Sequence, residues 1–291
     1  MNNLPQTELI VNPDGSIYHL NLLPGDIADN IILAGDPDRV KIISSFFDSV
    51  EIKKQRREFV THTGYYKGTR ITAISTGIGT DNIDIVVSEL DALANIDMTT
   101  RKVKKDHRTL NLIRIGTSGS LQKDIPVDSF LVSEKAIGFD GLLNFYAGRD
   151  EVCEKDFENA FTRAVNWNSY LAAPYVVSAS DELLDKFSDN KMIPGVTISA
   201  PGFYGPQGRK LRLSPADPLL NSKIEQFSFG KYKITNYEME SSAIYGLSKL
   251  LGHKAVTICA IIANRSTKTY STKHEDTMSE LIGLTLERLV S

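Results

Sequence analysis

The chain has 291 residues, enough for one large α/β domain or two small ones with a substantial buried core. Hydrophobic residues make up 41% and charged residues 24%, as in an ordinary globular protein. The net charge of -3 argues against nucleic acid as a main partner, and the two cysteines form neither a disulfide framework nor a C-x-x-C metal motif.

The sequence also argues against a membrane or secretory role. It contains no run of about 18 apolar residues, the length that a membrane-spanning helix needs. The opening MNNLPQTELI lacks the basic start and long apolar stretch of a secretory signal. We therefore expect a cytoplasmic protein without a membrane partner.

The first predicted unit is an apolar run at residues 31–33 that leads into Gly35-Asp36-Pro37. Asp36 has the residue type of a helix N-cap, and Pro37 suits the first helical position. The predicted helix has one apolar face, formed by Val40, Ile43 and Phe47.

Two more units follow the same plan. Residues 71–74 predict a strand that ends in a glycine turn at 76–79, and a helix follows. The apolar residues at helical spacing in that helix are Ile83, Val86, Val87, Leu90 and Leu93. Residues 112–115 predict another strand, followed by a turn at Gly116-Thr117-Ser118-Gly119.

The rest of the chain continues this alternation. Strands are predicted at 130–133, 175–178, 196–199 and 255–262, and a final helix should turn Met278, Leu281, Ile282 and Leu289 inward. The last strand is apolar on both faces, so it belongs in the middle of a covered sheet. We predict an α/β fold: a single domain over 1–291, with an N-terminal extension at 1–17 and a central mixed β-sheet flanked by helices. Its ligand site should lie at the carboxyl ends of strands.

Two of the glycine turns have an arginine nearby. Arg39 lies in the helix that Asp36 opens, and Arg114 lies two residues before Gly116. Glycine lets a backbone approach a ligand closely, and arginine binds tetrahedral oxyanions through paired hydrogen bonds. Plain loop geometry and surface ion pairs explain single examples equally well. Two such turns without a Walker or dinucleotide motif favour a site for a small free anion.

Eight segments extend this interpretation: YHLNL, LAGDPDRV, RREF, STGIG, RIGTSGSLQ, GVTISAPGFYGPQGR, NYEMESSAIY and IIANR. From about residue 18 onward, the chain resembles the uridine phosphorylases of the nucleoside phosphorylase family. The resemblance implies a glycosyltransferase that cleaves a pyrimidine nucleoside with inorganic phosphate. The expected reaction converts uridine and phosphate to uracil and ribose 1-phosphate in nucleoside salvage, without a cofactor.

The resemblance implies a phosphate site. Gly35, Arg39, Arg114 and Thr117 match the family's phosphate-binding residues. Arg57 matches an arginine that reaches the phosphate from a neighbouring subunit; without the motif it would be taken for a solvated charge. Phosphate already carries its charge, so these residues would position it rather than activate it.

The resemblance also implies a ribose site. Glu240 is expected to be the principal carboxylate on the ribose hydroxyls, with Glu238 beside it and Met239 beneath the sugar. His19 is expected to reach the ribose 5′-hydroxyl from the neighbouring subunit. Taken alone, the two glutamates would instead complement a helix dipole, and His19 would be a packing residue.

The base is expected to contact Phe203, Gln207 and Arg209. Gln207 offers both a donor and an acceptor to the O2/N3 edge of a pyrimidine, and Arg209 places a cation at O4, where charge accumulates as the base leaves. The catalytic residues implied are therefore Arg39, Arg114, Glu240 and Arg209.

Three other functions compete with this hypothesis. A purine nucleoside phosphorylase would place a Ser-Asp pair after the last core strand, where this chain reads Ala263-Asn264-Arg265. A dinucleotide-dependent oxidoreductase lacks its G-x-G-x-x-G signature here. A catalytically silent nucleoside-binding protein has the same pocket, and only a phosphate-dependent assay separates it from the enzyme.

The resemblance further implies a shared site, with a homodimer as the minimal unit and a hexamer as a trimer of dimers. A cation at the dimer interface is expected near Glu58, Ile78 and Asn82. Here the family's Gly-Pro-Ser is replaced by Thr80-Asp81-Asn82, which puts the choice of cation and the hexamer in question.

Two further segments depart from the family. The base loop inverts Gly-Pro and has Gly208 where the family has glutamate. Residues 97–108 are a polar, basic insertion that we predict to be a surface loop without an assigned function. The four histidines outside the motifs are expected to be structural: His62, His107, His253 and His274.

Overall fold

The apolar runs of the chain lie side by side in one mixed sheet. The computed structural model describes residues 3–291. Within that range the α-helices are α1 Pro37–Ser45, α2 Thr80–Asn95, α3 Arg149–Val152, α4 Lys155–Val165, α5 Asp181–Phe187, α6 Leu220–Gln226, α7 Ser241–Leu250 and α8 His274–Val290. The strands are β1 Asn30–Ala34, β2 Ser49–Arg56, β3 Phe59–Tyr66, β4 Thr69–Ser75, β5 Ile96–Asp97, β6 Lys102–Val103, β7 Asn111–Ser120, β8 Phe130–Gly138, β9 Tyr175–Ser178, β10 Met192–Ser199, β11 Ser228–Phe229, β12 Tyr232–Glu238, β13 Lys254–Asn264 and β14 Thr269–Tyr270.

The main sheet has the strand order β11-β12-β10-β8-β13-β7-β1-β4-β3-β2. Pairs such as β1 with β4 and β7 with β13 are parallel, whereas β13 with β8 and β2 with β3 are antiparallel. A further antiparallel pairing joins β12 to β7, so that β12, β10, β8, β13 and β7 close into a ring. The predicted mixed sheet in one α/β domain is confirmed.

The first two helices begin where the sequence predicts, although α1 ends at Ser45, before the predicted Phe47. The Asp36 side chain accepts a hydrogen bond from the Asp38 N–H at 2.9 Å, which satisfies one free donor of α1. Gly79 caps α2 with φ of 97°, a conformation that glycine adopts without steric cost. The five apolar residues predicted to face inward from α2 are all buried.

The predicted core strand and the final helix are also confirmed. Strand β13 lies between β7 and β8 and covers the predicted 255–262 run. Its Val256, Ile258 and Ile261 are fully buried. The four apolar residues predicted to face inward from α8 are buried as well.

The predicted turn at residues 116–119 is wrong. Strand β7 continues through these residues to Ser120. Its extra length pairs with β13 on one side, and Gly119 and Ser120 pair with β12 on the other. Because both partners supply backbone hydrogen bonds there, the extended strand outweighs the local turn preference of the glycines.

Strand β12 and the β2–β3 hairpin are elements that the apolar runs did not predict. Strand β2 alternates exposed and half-buried residues, and β12 mixes polar with apolar residues. The 97–108 insertion lies at the surface as predicted, and it contains the short antiparallel pair of β5 and β6. Within residues 3–291, no helix has the length and apolar character to cross a membrane.

Candidate active site

The turns after β1 and β4 meet because these strands are parallel neighbours with Ala34 opposite Ser75. The Thr76 N–H donates to the Ala34 carbonyl at 2.7 Å. A Cβ atom on Gly35 would lie 3.3 Å from the Gly77 carbonyl oxygen, so a larger residue at position 35 would push the turns apart. The two glycine turns predicted from the sequence therefore form one surface.

Arg114 reaches this surface from the neighbouring strand. It lies on β7 opposite Leu33 of β1, and only 5% of it is exposed. Its guanidinium group covers the Cα atom of Gly116, where a side chain would collide with it. Gly116, which was predicted to belong to a turn, therefore leaves space for the Arg114 guanidinium.

Arg39 approaches Arg114 from α1. Its Nη1 donates to the Ile115 carbonyl of β7 at 3.3 Å. Burial lowers the pKa of Arg39, and repulsion from Arg114 lowers it further. Two guanidinium groups that repel each other in a desolvated place form a site where a tetrahedral anion would be stabilised.

Glu240 balances part of this positive charge. It caps α7, and one carboxylate oxygen bonds Arg114 Nη2, while the other accepts the Gly79 N–H at 2.9 Å. Burial raises the pKa of Glu240, although the attraction of Arg114 opposes the rise. Burial also opposes the charge on Arg114, but Glu240 and Glu238 outweigh it and raise the pKa of Arg114 above its usual range.

Glu238 uses its oxygens differently. It ends β12 and accepts the backbone N–H groups of Glu240 and Ser241 at 3.0 Å, together with the Ser199 hydroxyl at 2.6 Å. Its Oε2 also lies 3.3 Å from Arg114 Nη1. With so many donors already bound, Glu238 holds the start of α7 and orients Arg114, which leaves Glu240 as the carboxylate better placed for a ligand.

We call Gly35, Arg39, Arg114, Glu238 and Glu240 the anion–ribose half of the site. The structure brings these five predicted residues together through the contacts above. Thr117 and Met239 are half-buried beside Arg114 and Glu240 in sequence, but neither side chain forms a hydrogen bond within residues 3–291.

Two predicted residues lie outside this group. Arg57 is exposed in the turn between β2 and β3, with φ of 53°, and its side chain has no hydrogen bond to the described residues. His19 pairs with Glu89 of α2, with 2.6 Å between Nδ1 and Oε1. Within one chain, neither residue forms a hydrogen bond to the anion–ribose half in the described range.

The predicted base residues meet on the loop after β10. Gln207 is 97% buried, since its exposed fraction is only 3%, and its amide oxygen accepts a hydrogen bond from Arg209. The Arg209 guanidinium lies over the Phe203 ring, 3.7 Å from its centroid, and also donates to the Phe203 carbonyl at 2.7 Å. Phe203 itself is half exposed, so the loop presents an aromatic face beside a cation.

Arg265 belongs with these base residues, although the sequence predicted no role for it beyond the absence of a carboxylate at that position. It follows β13, and its guanidinium lies 5.3 Å from the ring centroid of Tyr237, the residue before Glu238. Its Nη1 is buried with no hydrogen-bond partner among the described residues. Burial lowers the pKa of Arg209 to about 10, and repulsion from Arg265 adds to the effect. We call Phe203, Gln207, Arg209 and Arg265 the base half.

The residues predicted to hold an interface cation gather around Gly77. Glu58 Cγ would lie 3.1 Å from a Cβ atom on Gly77, and Asn82 is in contact with the same position. The Asn82 side-chain N–H donates a hydrogen bond to the Ile78 carbonyl at 3.4 Å. A cation at the interface would take oxygen ligands from two chains, so the predicted cation site stays a prediction.

Comparisons with known proteins agree with this geometry. The sequence model of the phosphorylase superfamily matches residues 29–290. A uridine phosphorylase of Thermococcus kodakarensis is 29% identical over 272 residues, which cover 91% of this chain and 82% of that protein. A DeoD-type purine nucleoside phosphorylase of Shewanella loihica is 29% identical over 276 residues, which cover 94% and 98%.

A solved structure shows the same arrangement of the chain. The nucleoside phosphorylase of Trypanosoma brucei, described as showing uridine phosphorylase activity, superposes with a TM-score of 0.85. It is 30% identical and covers 97% of this chain and 99% of its own.

Proposed function

The chain belongs to the phosphorylase superfamily, and from that premise we propose that it converts uridine and inorganic phosphate to uracil and ribose 1-phosphate. It is a pentosyltransferase: the C1′–N1 bond of the nucleoside breaks and a bond from C1′ to a phosphate oxygen forms. Relatives of similar identity include a uridine phosphorylase and a nucleoside phosphorylase with uridine phosphorylase activity.

The observation that carries the proposal is that Arg39 and Arg114 lie together near the meeting turns of β1 and β4, where Arg39 bonds the Ile115 carbonyl beside Arg114 and the two guanidinium groups repel each other. A phosphate dianion between them would relieve the repulsion and use guanidinium donors that the chain leaves available. Arg114 has five N–H donors, and only some of them are occupied by Glu238 and Glu240. The site therefore suits a free anion that arrives as a substrate.

Glu240 links the anion to the sugar. Its carboxylate is fixed by Arg114 and by the Gly79 N–H, so it accepts the ribose hydroxyls without rearranging. As the C1′–N1 bond lengthens, the sugar gains positive charge at C1′. The phosphate held beside it stabilises that charge before the new bond is complete.

The base half stabilises the leaving group. Uracil departs with the bonding electron pair and carries negative charge over its carbonyl oxygens until it is protonated. Arg209 is already orientated by Phe203 and Gln207, and in the same region the buried Nη1 of Arg265 has no hydrogen-bond partner among the described residues. Two cations that repel each other become more stable when that negative charge develops between them.

This charge pattern favours a pyrimidine over a purine. A departing purine would need an acid near its imidazole ring, but here Arg265 follows the last core strand, where purine-cleaving relatives have a carboxylate, and it adds positive charge near Arg209. Asn264 is no substitute, because it is buried and its amide donates to the Gln122 and Ile125 carbonyls. The purine phosphorylase relative keeps purine cleavage as the second candidate.

A substrate panel tests the proposal. Uridine, thymidine, deoxyuridine, cytidine and inosine are each incubated with and without phosphate, and free base is measured. We expect base release from uridine only with phosphate. Faster release from inosine would favour the purine alternative, and tight binding of uridine without release would identify a silent binding protein.

We also propose that the site is completed by a second copy of the chain, so that a homodimer is the smallest active unit. Arg57 and His19 support this, because both match site residues of the family yet neither is tied to the anion–ribose half of its own chain. The exposed turn that carries Arg57 is free to reach a neighbouring subunit.

Mixing two inactive variants tests the shared site. R57A removes the borrowed arginine, and E240A removes the carboxylate of the receiving site. After subunit exchange, a mixed dimer should contain one site that lacks both defects, so activity should return to about a quarter of the wild-type value if exchange is random. Demonstrated exchange without recovery would contradict the shared site.

A further inference from the structure

Glu89 of α2 makes an unusually complete set of contacts with the segment around His19. Its carboxylate accepts the backbone N–H of His19 at 3.0 Å and that of Leu20 at 2.9 Å. It also lies 2.6 Å from Nδ1 of the His19 ring. The side chains of His19 and Glu89 are 27% and 13% exposed, so the pair is shielded but the ring still reaches solvent.

These contacts decide which ring nitrogen carries the proton. An ionised carboxylate accepts hydrogen bonds and cannot donate them. Nδ1 of His19 must therefore carry the hydrogen, and in the neutral ring Nε2 keeps its lone pair. Nε2 forms no hydrogen bond to any residue in 3–291, which leaves it available as an acceptor for a hydroxyl group.

Neighbouring side chains also contact the His19 ring and the segment that carries it. Tyr18 packs edge-on against His19 with 4.7 Å between ring centroids, and the Arg56 guanidinium lies 5.1 Å from the Tyr18 centroid. Asn12 joins the two parts, since it accepts from Arg56 Nη1 at 2.9 Å and donates to the carbonyl before Tyr18 at 2.9 Å. Arg56 directly precedes Arg57, so the same contacts connect both residues that are offered to a neighbouring subunit.

A second histidine–carboxylate pair, formed by His253 and Asp91 of α2, has a purely structural role. His253 Nε2 lies 3.1 Å from Asp91, and its Nδ1 accepts the Leu110 N–H at 3.2 Å. The His253 side chain is fully buried, and both of its nitrogens are used. His19 differs because one nitrogen is fixed and the other is left free.

We propose that Glu89 is a positioning residue that fixes the Nδ1–H tautomer of His19, so that Nε2 accepts a hydrogen bond from the ribose 5′-hydroxyl of a nucleoside bound to the neighbouring subunit. The proposal rests on the proposed function, because it assigns an atomic role within that nucleoside site. Glu89 acts through His19 and does not touch the substrate.

The variant E89Q tests the tautomer directly. A glutamine amide can still accept a backbone N–H through its oxygen, but its NH₂ group would donate to Nδ1 and move the ring hydrogen to Nε2. Two-bond ¹H–¹⁵N spectra of ¹⁵N-histidine protein, with H19A to assign the signals, report the tautomer without any substrate. We expect Nδ1–H in the wild type and Nε2–H in E89Q.

Kinetics with and without the 5′-hydroxyl supply the second readout. For uridine, E89Q should lower kcat/KM about tenfold, as expected for one lost hydrogen bond. For 5′-deoxyuridine, which lacks the hydroxyl, kcat/KM should not change. H19A should show the same pattern, and H19A/E89Q should lose no more than H19A alone.

Two further variants separate positioning from stability. E89D keeps the carboxylate but shortens its reach, so it should retain the Nδ1–H tautomer and lose less than E89Q on uridine. E280Q makes the same chemical change at an exposed position of α8 and should match the wild type. All four single variants and the wild type are compared by thermal unfolding.

The outcomes are distinct. An Nε2–H tautomer in the wild type, or equal losses on uridine and 5′-deoxyuridine in E89Q, would overturn the role of Glu89. A wild type that cleaves neither nucleoside with phosphate would refute the proposed function, and the spectra would still show whether Glu89 sets the ring tautomer.

Discussion

The two halves of the candidate site are built in different ways. The anion–ribose half stands on strand ends and a helix cap, and its Arg114 and Glu240 are each about 95% buried and bonded to one another. Three of the four residues of the base half stand on the loop after β10, where Phe203 is half exposed and Arg209 is held by two groups of the same loop. The first half is therefore set by the sheet before any ligand binds, whereas the second is stabilised largely by contacts within its own loop.

The two halves of the site also differ in how their positive charges are compensated. In the anion–ribose half, Glu240 and Glu238 compensate Arg114, and Arg39 remains only partly compensated. In the base half, Arg209 and Arg265 repel each other, and neither forms an ion pair with a carboxylate of residues 3–291. The first half is suited to a charge present throughout the reaction, and the second to a charge that appears as the base leaves.

The largest expected effect comes from removing the link inside the anion–ribose half. E240A leaves Arg114 with one carboxylate fewer and removes the acceptor for the ribose hydroxyls, so kcat should fall by about 10³. Breaking a buried ion pair from one side should also lower the free energy of unfolding by about 3–5 kcal/mol. Steady-state rates and urea unfolding measure the two effects. Activity within tenfold of the wild type would contradict the role of Glu240 as the carboxylate that binds the ribose hydroxyls.

The next effect tests the base half. R209A should lower kcat for uridine by roughly 10²–10³, because the developing charge on the base loses a preorganised cation. The KM for uridine should change little, since the neutral base in the ground state needs that cation less. A rise in KM with unchanged kcat would assign Arg209 to binding alone.

Arg265 should matter less than Arg209, because Arg209 bonds both Phe203 and Gln207, whereas Arg265 forms no hydrogen bond to either of them within residues 3–291. R265L removes the charge while keeping apolar contact with Tyr237, and kcat/KM for uridine should fall about tenfold. R265K keeps a charge without the planar fork and should recover part of the loss. The KM for phosphate should stay the same in both variants; a shift in it would place Arg265 with the anion instead.

The smallest expected effect concerns the loop itself. Gly208 has φ of 69°, and a side chain there would collide with the Asn221 amide, which donates to the Gln207 carbonyl at 3.1 Å. G208A should raise the KM for uridine about threefold and leave the KM for phosphate unchanged, while the strained φ costs about 1 kcal/mol of stability.

Gly230 supplies a matched control. It also has a positive φ, 58°, but nothing lies within 4 Å of a Cβ atom placed there. G230A should lose similar stability through φ alone and keep the wild-type KM for uridine. Equal KM values in G208A and G230A would show that Asn221 does not hold the base loop.

The fold was largely predictable from the sequence because its strands and helices are strongly apolar on one or both faces. The inward residues of α2 and α8 and the central position of β13 follow from that pattern alone. Strand β12 could not be found in this way, because its polar residues are buried inside the ring of strands, where Thr197 donates to Asn236 at 2.9 Å.

The site was predictable where short motifs join neighbouring strands. Arg39 and Arg114 meet as expected because β1 pairs with β7. Gly116 was misread, since its lack of a side chain serves Arg114 rather than a turn. Arg265 could not be found from the sequence, because an arginine after a buried strand has no local signal. What sets it apart is a buried nitrogen without a hydrogen-bond partner in residues 3–291. The proposed roles of His19 and Arg57 require a second chain, which no local pattern specifies.

In the proposed reaction, phosphate held by Arg39 and Arg114 attacks C1′ of the nucleoside. Fully ¹⁸O-labelled phosphate and uridine in unlabelled water test it within one reaction. If phosphate attacks C1′, the ribose 1-phosphate retains all of the labelled oxygens, including the one bonded to C1′. Free ribose with no phosphate-derived label would contradict it, because water would then be the attacking group.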